Sequence, residues 1–257
     1  MSFALKVPTN WQDPSGDPAG KQYGQAFKDS EKASSPGAPP LVQPATLNKY
    51  HTDIQKMHIA KIGAFIDGTC DAICSAWSQW QTAATMLGIV VTGPMASVGQ
   101  IVGPPLTPLI LSTAPKATQN EMKYSSVISS VIGTAWLTFT ATVKIAGLPF
   151  WPAYAAVPTP VAPPMPNVAF PFAALIQVPV SISCTVMKMQ MIAQLGDPMA
   201  PFNKELFESI CDAFEKCYTT WKVSTMVNNV MAIATGGTPI TPIPAVGTAM
   251  MAPGGFT

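Results

Sequence analysis

Three long stretches of this chain carry no charged side chain: residues 72–115, 145–187 and 223–257. No other feature constrains the fold as strongly, because so much uncharged chain must be shielded from water. Their lengths suffice to cross a bilayer. Prolines break all three, however, and backbone facing lipid must satisfy its own hydrogen bonds, which proline-broken chain does not do. The tracts therefore predict burial against protein, with companion polypeptides as the cover.

A repeated segment leads into each tract. Cys70, Asp71, Ala72 and Trp80 recur at the same spacing as Cys211, Asp212, Ala213 and Trp221, with Tyr218 at the place of Trp77 and Glu208 at that of Asp67. A weaker middle copy spans 129–139, where Trp136 and Phe139 stand for Trp77 and Trp80. Each copy runs through a Thr-containing stretch into a Gly/Pro turn, at Gly93-Pro94, Gly147-Leu148-Pro149 and Gly236-Gly237-Thr238-Pro239. The unequal intervals exclude a solenoid of fixed period. The pattern reads as one cassette used three times, over about 45–116, 117–197 and 198–257, behind an extended arm, 1–44, too rich in Gly, Pro, Ser and Lys to fold alone.

The expected fold is mainly α, with three divergent cassettes of helix plus Pro/Gly-rich extended segment, long helices and little regular β. Apolar spacing predicts a first helix from Thr46 that carries its stripe through Trp77, Trp80, Ala84 and Leu87 and ends near Thr92-Gly93-Pro94. Thr118-Gln119-Asn120-Glu121 is a capping box that opens a second helix, running to about Gly147. A third helix is read over 180–195 and a last one from Asn203 to Met231. The closing tract, 236–257, is expected to serve assembly and to be dispensable for helix content.

Chemistry finds little purchase here. Charged residues make up 11% of the chain, less than half the usual share, and all 14 basic residues are Lys. Without Arg and with a net charge of +1, nucleic acid is not an expected partner. His51 and His58 sit two helical turns apart, about 10 Å, too far to share a metal. Asp71 and Asp212 are repeat equivalents that read as polar helix residues rather than an acid–base pair. The five cysteines, an odd number with no signal peptide ahead of them, read as reduced and mostly buried. No catalytic, cofactor-binding or metal-binding residue is predicted, no cofactor is expected, and the chain is not read as an enzyme. The singled-out residues are the aromatic pairs Trp77/Trp80, Trp136/Phe139 and Tyr218/Trp221, as packing and assembly anchors.

The run from Trp221 through Asn228-Asn229-Val230, and Pro242-Ile243-Pro244-Ala245-Val246-Gly247, resemble the style of structural proteins of tailed phages and phage-tail-like particles. That resemblance implies a structural subunit of a large particle, a baseplate, tail or neck component rather than capsid cement. It implies copies of itself and other particle proteins as partners, synthesis in the cytoplasm without a secretory signal, and residence in the virion or particle. The competing reading is a membrane-active protein, a pore or plug touching a cell envelope. Membrane contact is the less favoured of the two.

Overall fold

Three times in this chain a helix ending in aromatic side chains runs directly into a β-strand. The computed structural model describes residues 44–93, 95–150, 165–197, 200, 202–235 and 246–257, with side chains from 56 onward except 165 and 233–235. Residues 1–43, the proline-rich residues 151–164 and residues 236–245 lie outside the described residues, as does the His51 side chain. The chain divides into two units, Met1–Gly68 and Thr69–Thr257. Of the first, the described part is helix.

Helix α1 (Pro44–Ala83) leads into β1 (Thr85–Thr92), which turns into β2 (Met95–Val102). A short helix α2 (Leu106–Thr113) precedes α3 (Gln119–Thr142). The expected capping box is present: Thr118 Oγ1 accepts from the Glu121 N–H, and Glu121 Oε2 accepts from the Thr118 N–H, both at 3.1 Å. α3 leads into β3 (Ile145–Pro149), followed by two-residue strands β4 (Met165–Pro166) and β5 (Phe170–Pro171). After two 3₁₀ turns come α4 (Cys184–Leu195), closed by Gly196 in the left-handed region, and α5 (Asn203–Ser224). The strands β6 (Met226–Val227), β7 (Val230–Thr235) and β8 (Val246–Met251) follow.

The strands correct the expected fold class. Six of them form one antiparallel sheet in the order β3-β2-β1-β8-β7-β4, five of full length plus the short β4. The sheet curls, and its two outer strands approach each other. Phe150, just past β3, bridges to Asn167, just past β4, and the Val168 N–H donates to Pro149 O at 3.0 Å. The fold is therefore α plus a curled β sheet, not long helices with little regular β. The physical reason is that the uncharged tracts satisfy their backbone groups by pairing with one another. A helix continued past Ala83 would have carried Thr85, Ile89, Val90 and Val91, all β-branched residues favoured on a pleated surface.

The three helix–strand units are equivalent in detail. Eight residues beyond Trp80, Phe139 and Trp221 stand Gly88, Gly147 and Asn229, all with positive φ, at 67°, 81° and 56°. Four residues beyond the same aromatics lie Ala84, Val143 and Thr225, all buried. Nine beyond lie Ile89, Leu148 and Val230, each fully buried. Eleven beyond lie Val91, Phe150 and Ala232, which pair with Ala96, Asn167 and Ala249. The first strand of each unit also pairs with the second strand of the preceding unit, as in Val90↔Thr248, Pro149↔Met95 and Met231↔Pro166. The connections thus repeat three times around the sheet.

The left-handed residue has a clear task. It sits a few residues past the end of each helix, inside β1 and β3 at a register shift and just before β7, and it shifts the alternation so that buried positions fall on both sides of it. Glycine or asparagine takes that conformation at least cost. Nothing lies within 4 Å of where a Cβ on Gly88 would stand, so a substitution there tests backbone strain alone. Gly88→Ala is expected to cost about 1–2 kcal/mol in urea unfolding, while Asn229→Gly should be close to neutral. Equal stability of Gly88→Ala and the parent chain would remove the left-handed residue from its role.

Candidate functional site

The six singled-out aromatics are brought into one cluster. At the C-terminal turns of α1, α3 and α5, the Trp77 and Trp136 ring centroids are 4.3 Å apart, Trp80 and Trp136 4.6 Å, and Trp77 and Trp221 5.4 Å. Phe139 and Tyr218 meet edge-on at 5.1 Å. These are the tilted and T-shaped arrangements in which a positive ring edge meets a negative face. Trp80, Trp136, Phe139 and Tyr218 are buried, and Trp77 and Trp221 are half-buried. The cluster is thus part of the chain's own interior.

Three further aromatics complete it. Phe214, one helical turn before Tyr218, packs edge-on against Trp77 at 5.4 Å. Phe172 lies 4.7 Å from Trp221, and Phe256 stacks on Trp80 at 5.9 Å with 12° between planes. Phe172 and Phe256 fall outside the repeated segment, and only their apolar character marked them. Phe256 is held by its neighbours: the Met226 N–H donates to Thr257 O at 2.8 Å and the Thr257 N–H to Met226 O at 3.1 Å. The closing tract is thus part of the body of the protein. It supplies β8, between β1 and β7, and a ring of the cluster.

Glutamines satisfy the polar edges. Trp221 Nε1 donates to Gln81 Oε1 at 3.3 Å, and Gln81 Nε2 donates to Phe256 O at 3.0 Å. Tyr218 Oη donates to Gln177 Oε1 at 2.9 Å, and Gln177 Nε2 donates to Phe172 O at 2.7 Å. Trp136 Nε1 is buried with no hydrogen-bond partner among the described residues, and its surroundings are rings. Gly103 lies so close to the Trp80 indole that a side chain would collide with it.

One polar side chain is buried in the sheet. Asn167 Nδ2 donates to Val227 O at 2.9 Å, its Oδ1 accepts from the Val230 N–H at 3.0 Å, and its own N–H donates to Val230 O at 3.0 Å. It ties the seam of the sheet to β6 and β7. Every polar atom of that side chain is engaged, so it is a structural fastening.

Among the described residues, several titratable groups meet between α4 and α5, where Cys184 lies near Glu208, Glu215 and Asp212. His58 and Asp71 are exposed, and Asp212 pairs with Lys216 one turn along α5 at 2.6 Å. Glu208 pairs with Lys188 at 2.6 Å, and Glu215 Oε2 accepts from the Cys184 N–H at 2.7 Å, at the start of α4. No group of three or more potential metal ligands occurs among the described residues. The thiols are less buried than expected: Cys211 is buried, whereas Cys74 and Cys217 are exposed. Burial pushes the Cys211 thiol up to about 12, away from the reactive thiolate. Cys184 is also raised, first by burial and then by Asp212, Glu215 and Glu208.

Comparisons with protein-family models, with curated proteins and with solved structures return no match to this chain.

Trp80→Ala should destabilise by about 3–5 kcal/mol, the usual loss for a large buried aromatic, and Trp221→Ala by less, because Trp221 is half-buried. Chemical denaturation reads both, and wild-type midpoints would remove the cluster from the core. Burial raises the Tyr218 phenol above its ordinary value of 10.0. Its contribution is complete below pH 10 and is lost as pH rises through the folded-state value, because the unfolded chain releases the proton first. Tyr218→Phe should therefore flatten the fall in stability above pH 10, in melts followed between pH 8 and 12.

Proposed function

We propose that this chain is a structural subunit of a large protein assembly, of the phage-tail or phage-tail-like kind, and that it acts by packing rather than by chemistry. One observation carries the reading: the curled sheet is uncharged on both faces, its outer face mixing apolar side chains with a few neutral polar ones such as Thr92, Ser97, Gln100 and Thr248. Its inner rows fill the chain's own interior, with Met86, Ile89, Val91, Leu148 and Val230 fully buried. The uncharged tracts are thus covered in part by the chain itself, contrary to the expectation that companions do all of it. The outer rows are exposed all the same. Leu87, Val90, Met95, Val98, Val102, Met231, Val246 and Met250 are between 39% and 57% exposed, and no strand of the sheet contains a charged residue.

A sheet with one solvated face normally alternates apolar with polar and charged residues. An outer face with this many exposed apolar residues and no charge is characteristic of surfaces that other molecules cover. The raised thiols, away from the reactive thiolate, support packing over catalysis. The phage-like style of the strand sequences supports the kind of particle. No described helix is long and apolar enough to cross a membrane.

Size fractionation of the native source, without detergent, tests this. The chain is expected in a particle far larger than its own 27.1 kDa. Recovery as a stable monomer, or only with membranes after flotation, would overturn the proposal.

A further inference from the structure

The geometry points to a partner with threefold symmetry, a homotrimer whose uncharged inner surface seats around the outer wall of the curled sheet. This rests on the structural role proposed above and goes further by naming the surface and the kind of subunit that covers it.

The wall repeats three times. Ten residues beyond the cluster aromatics Trp80, Phe139 and Trp221 lie Val90, Pro149 and Met231. All three are on the outer side of the sheet: Val90 is 41% and Met231 39% exposed, and Pro149 is partly exposed. Each sits opposite one residue of the preceding unit, Val90↔Thr248, Pro149↔Met95 and Met231↔Pro166. These six residues therefore occupy one level around the sheet, as three equivalent pairs. All are uncharged; five are apolar, and the sixth, Thr248, carries a methyl group.

Charge and symmetry together choose the occupant. A charged partner surface would lose hydration against this wall and find no counter-charge, so the partner face is uncharged as well. A partner that grips one pair by its shape fits all three only if its own surface recurs every third of a turn. A monomeric partner, or a second copy of this chain across a twofold axis, covers one pair and leaves the other two in water. A homotrimer covers all three and takes up one copy of this chain for every three of its own.

The test uses the complete chain in its native assembly. Native mass spectrometry of the assembly should give three copies of the contacting subunit, or a multiple of three, per copy of this chain. Val90→Lys and Met231→Lys are exposed substitutions that should leave the melting temperature unchanged. Each should lower incorporation at least tenfold, and by similar factors, because the positions are equivalent. Any other copy ratio would overturn the inference. So would incorporation of both variants at the parent level, or a loss confined to one of them. If the parent chain enters no assembly at all, the structural role fails first. If it enters one but the ratio or the paired losses do not appear, the structural role stands and the threefold partner falls. The ratio is read on the unaltered chain, so it decides the matter even where a lysine variant misfolds.

Discussion

Everything else in this structure hangs on the convergence of three helix ends. α1, α3 and α5 each finish on two aromatic rings one turn apart, and these rings meet one another instead of meeting solvent. Large rings at i and i+3 cover one face of a helix. Three such faces brought together bury apolar area that no pair of the helices covers alone. Because the rings sit at the C-terminal turns, the strands that follow all begin beside the same cluster. The sheet curls because its strands are fed from three helices gathered at one point.

The helix-to-strand junction is the second element of the design. A left-handed residue eight positions after the last ring re-aims the strand, so that positions before and after it both face inward. Two copies use glycine and the third uses Asn229, the other residue type that tolerates this conformation. The strand pairing is then closed by non-local contacts: β1 pairs with β8, and the seam is bridged by Phe150 and Asn167. Asn167 is the one place where the repeat departs from small apolar residues, Ala96 and Ala249 being its equivalents. Its side chain supplies hydrogen bonds where β4 is too short to form a full ladder.

The inner and outer rows of the sheet explain why an uncharged chain of this kind need not be wholly dependent on neighbours. Alternation sends every second side chain into the interior. The remaining half stays on the wall, and it is there that the proposed role resides. Among the described residues most lysines and carboxylates sit on the helices, as in Lys188–Glu208 and Lys216–Asp212, with Lys116, Lys144 and Asp197 in the connections. Among the described residues the strands of the sheet thus carry no charge.

Local patterns were legible in the residues alone. The capping box at Thr118 and Glu121 is a short-range hydrogen-bond motif, and it marks the start of α3. The repeated aromatics, and the spacing that relates Trp80 to Trp221, are also readable without coordinates. The strands were not. The spacing of Trp77, Trp80, Ala84 and Leu87 continues a helical stripe past Ala83, although Thr85–Thr92 is rich in β-branched residues. A short apolar run satisfies both periods, and only a partner strand decides between them. One partner, β2, follows directly across the turn at Gly93, and the other, β8, lies more than 150 residues away. The sequence by itself determined that much apolar surface needed cover and that three similar segments would share the task. The tertiary structure alone decided that the tracts pair with one another, because backbone hydrogen bonding between distant strands leaves no trace in local spacing.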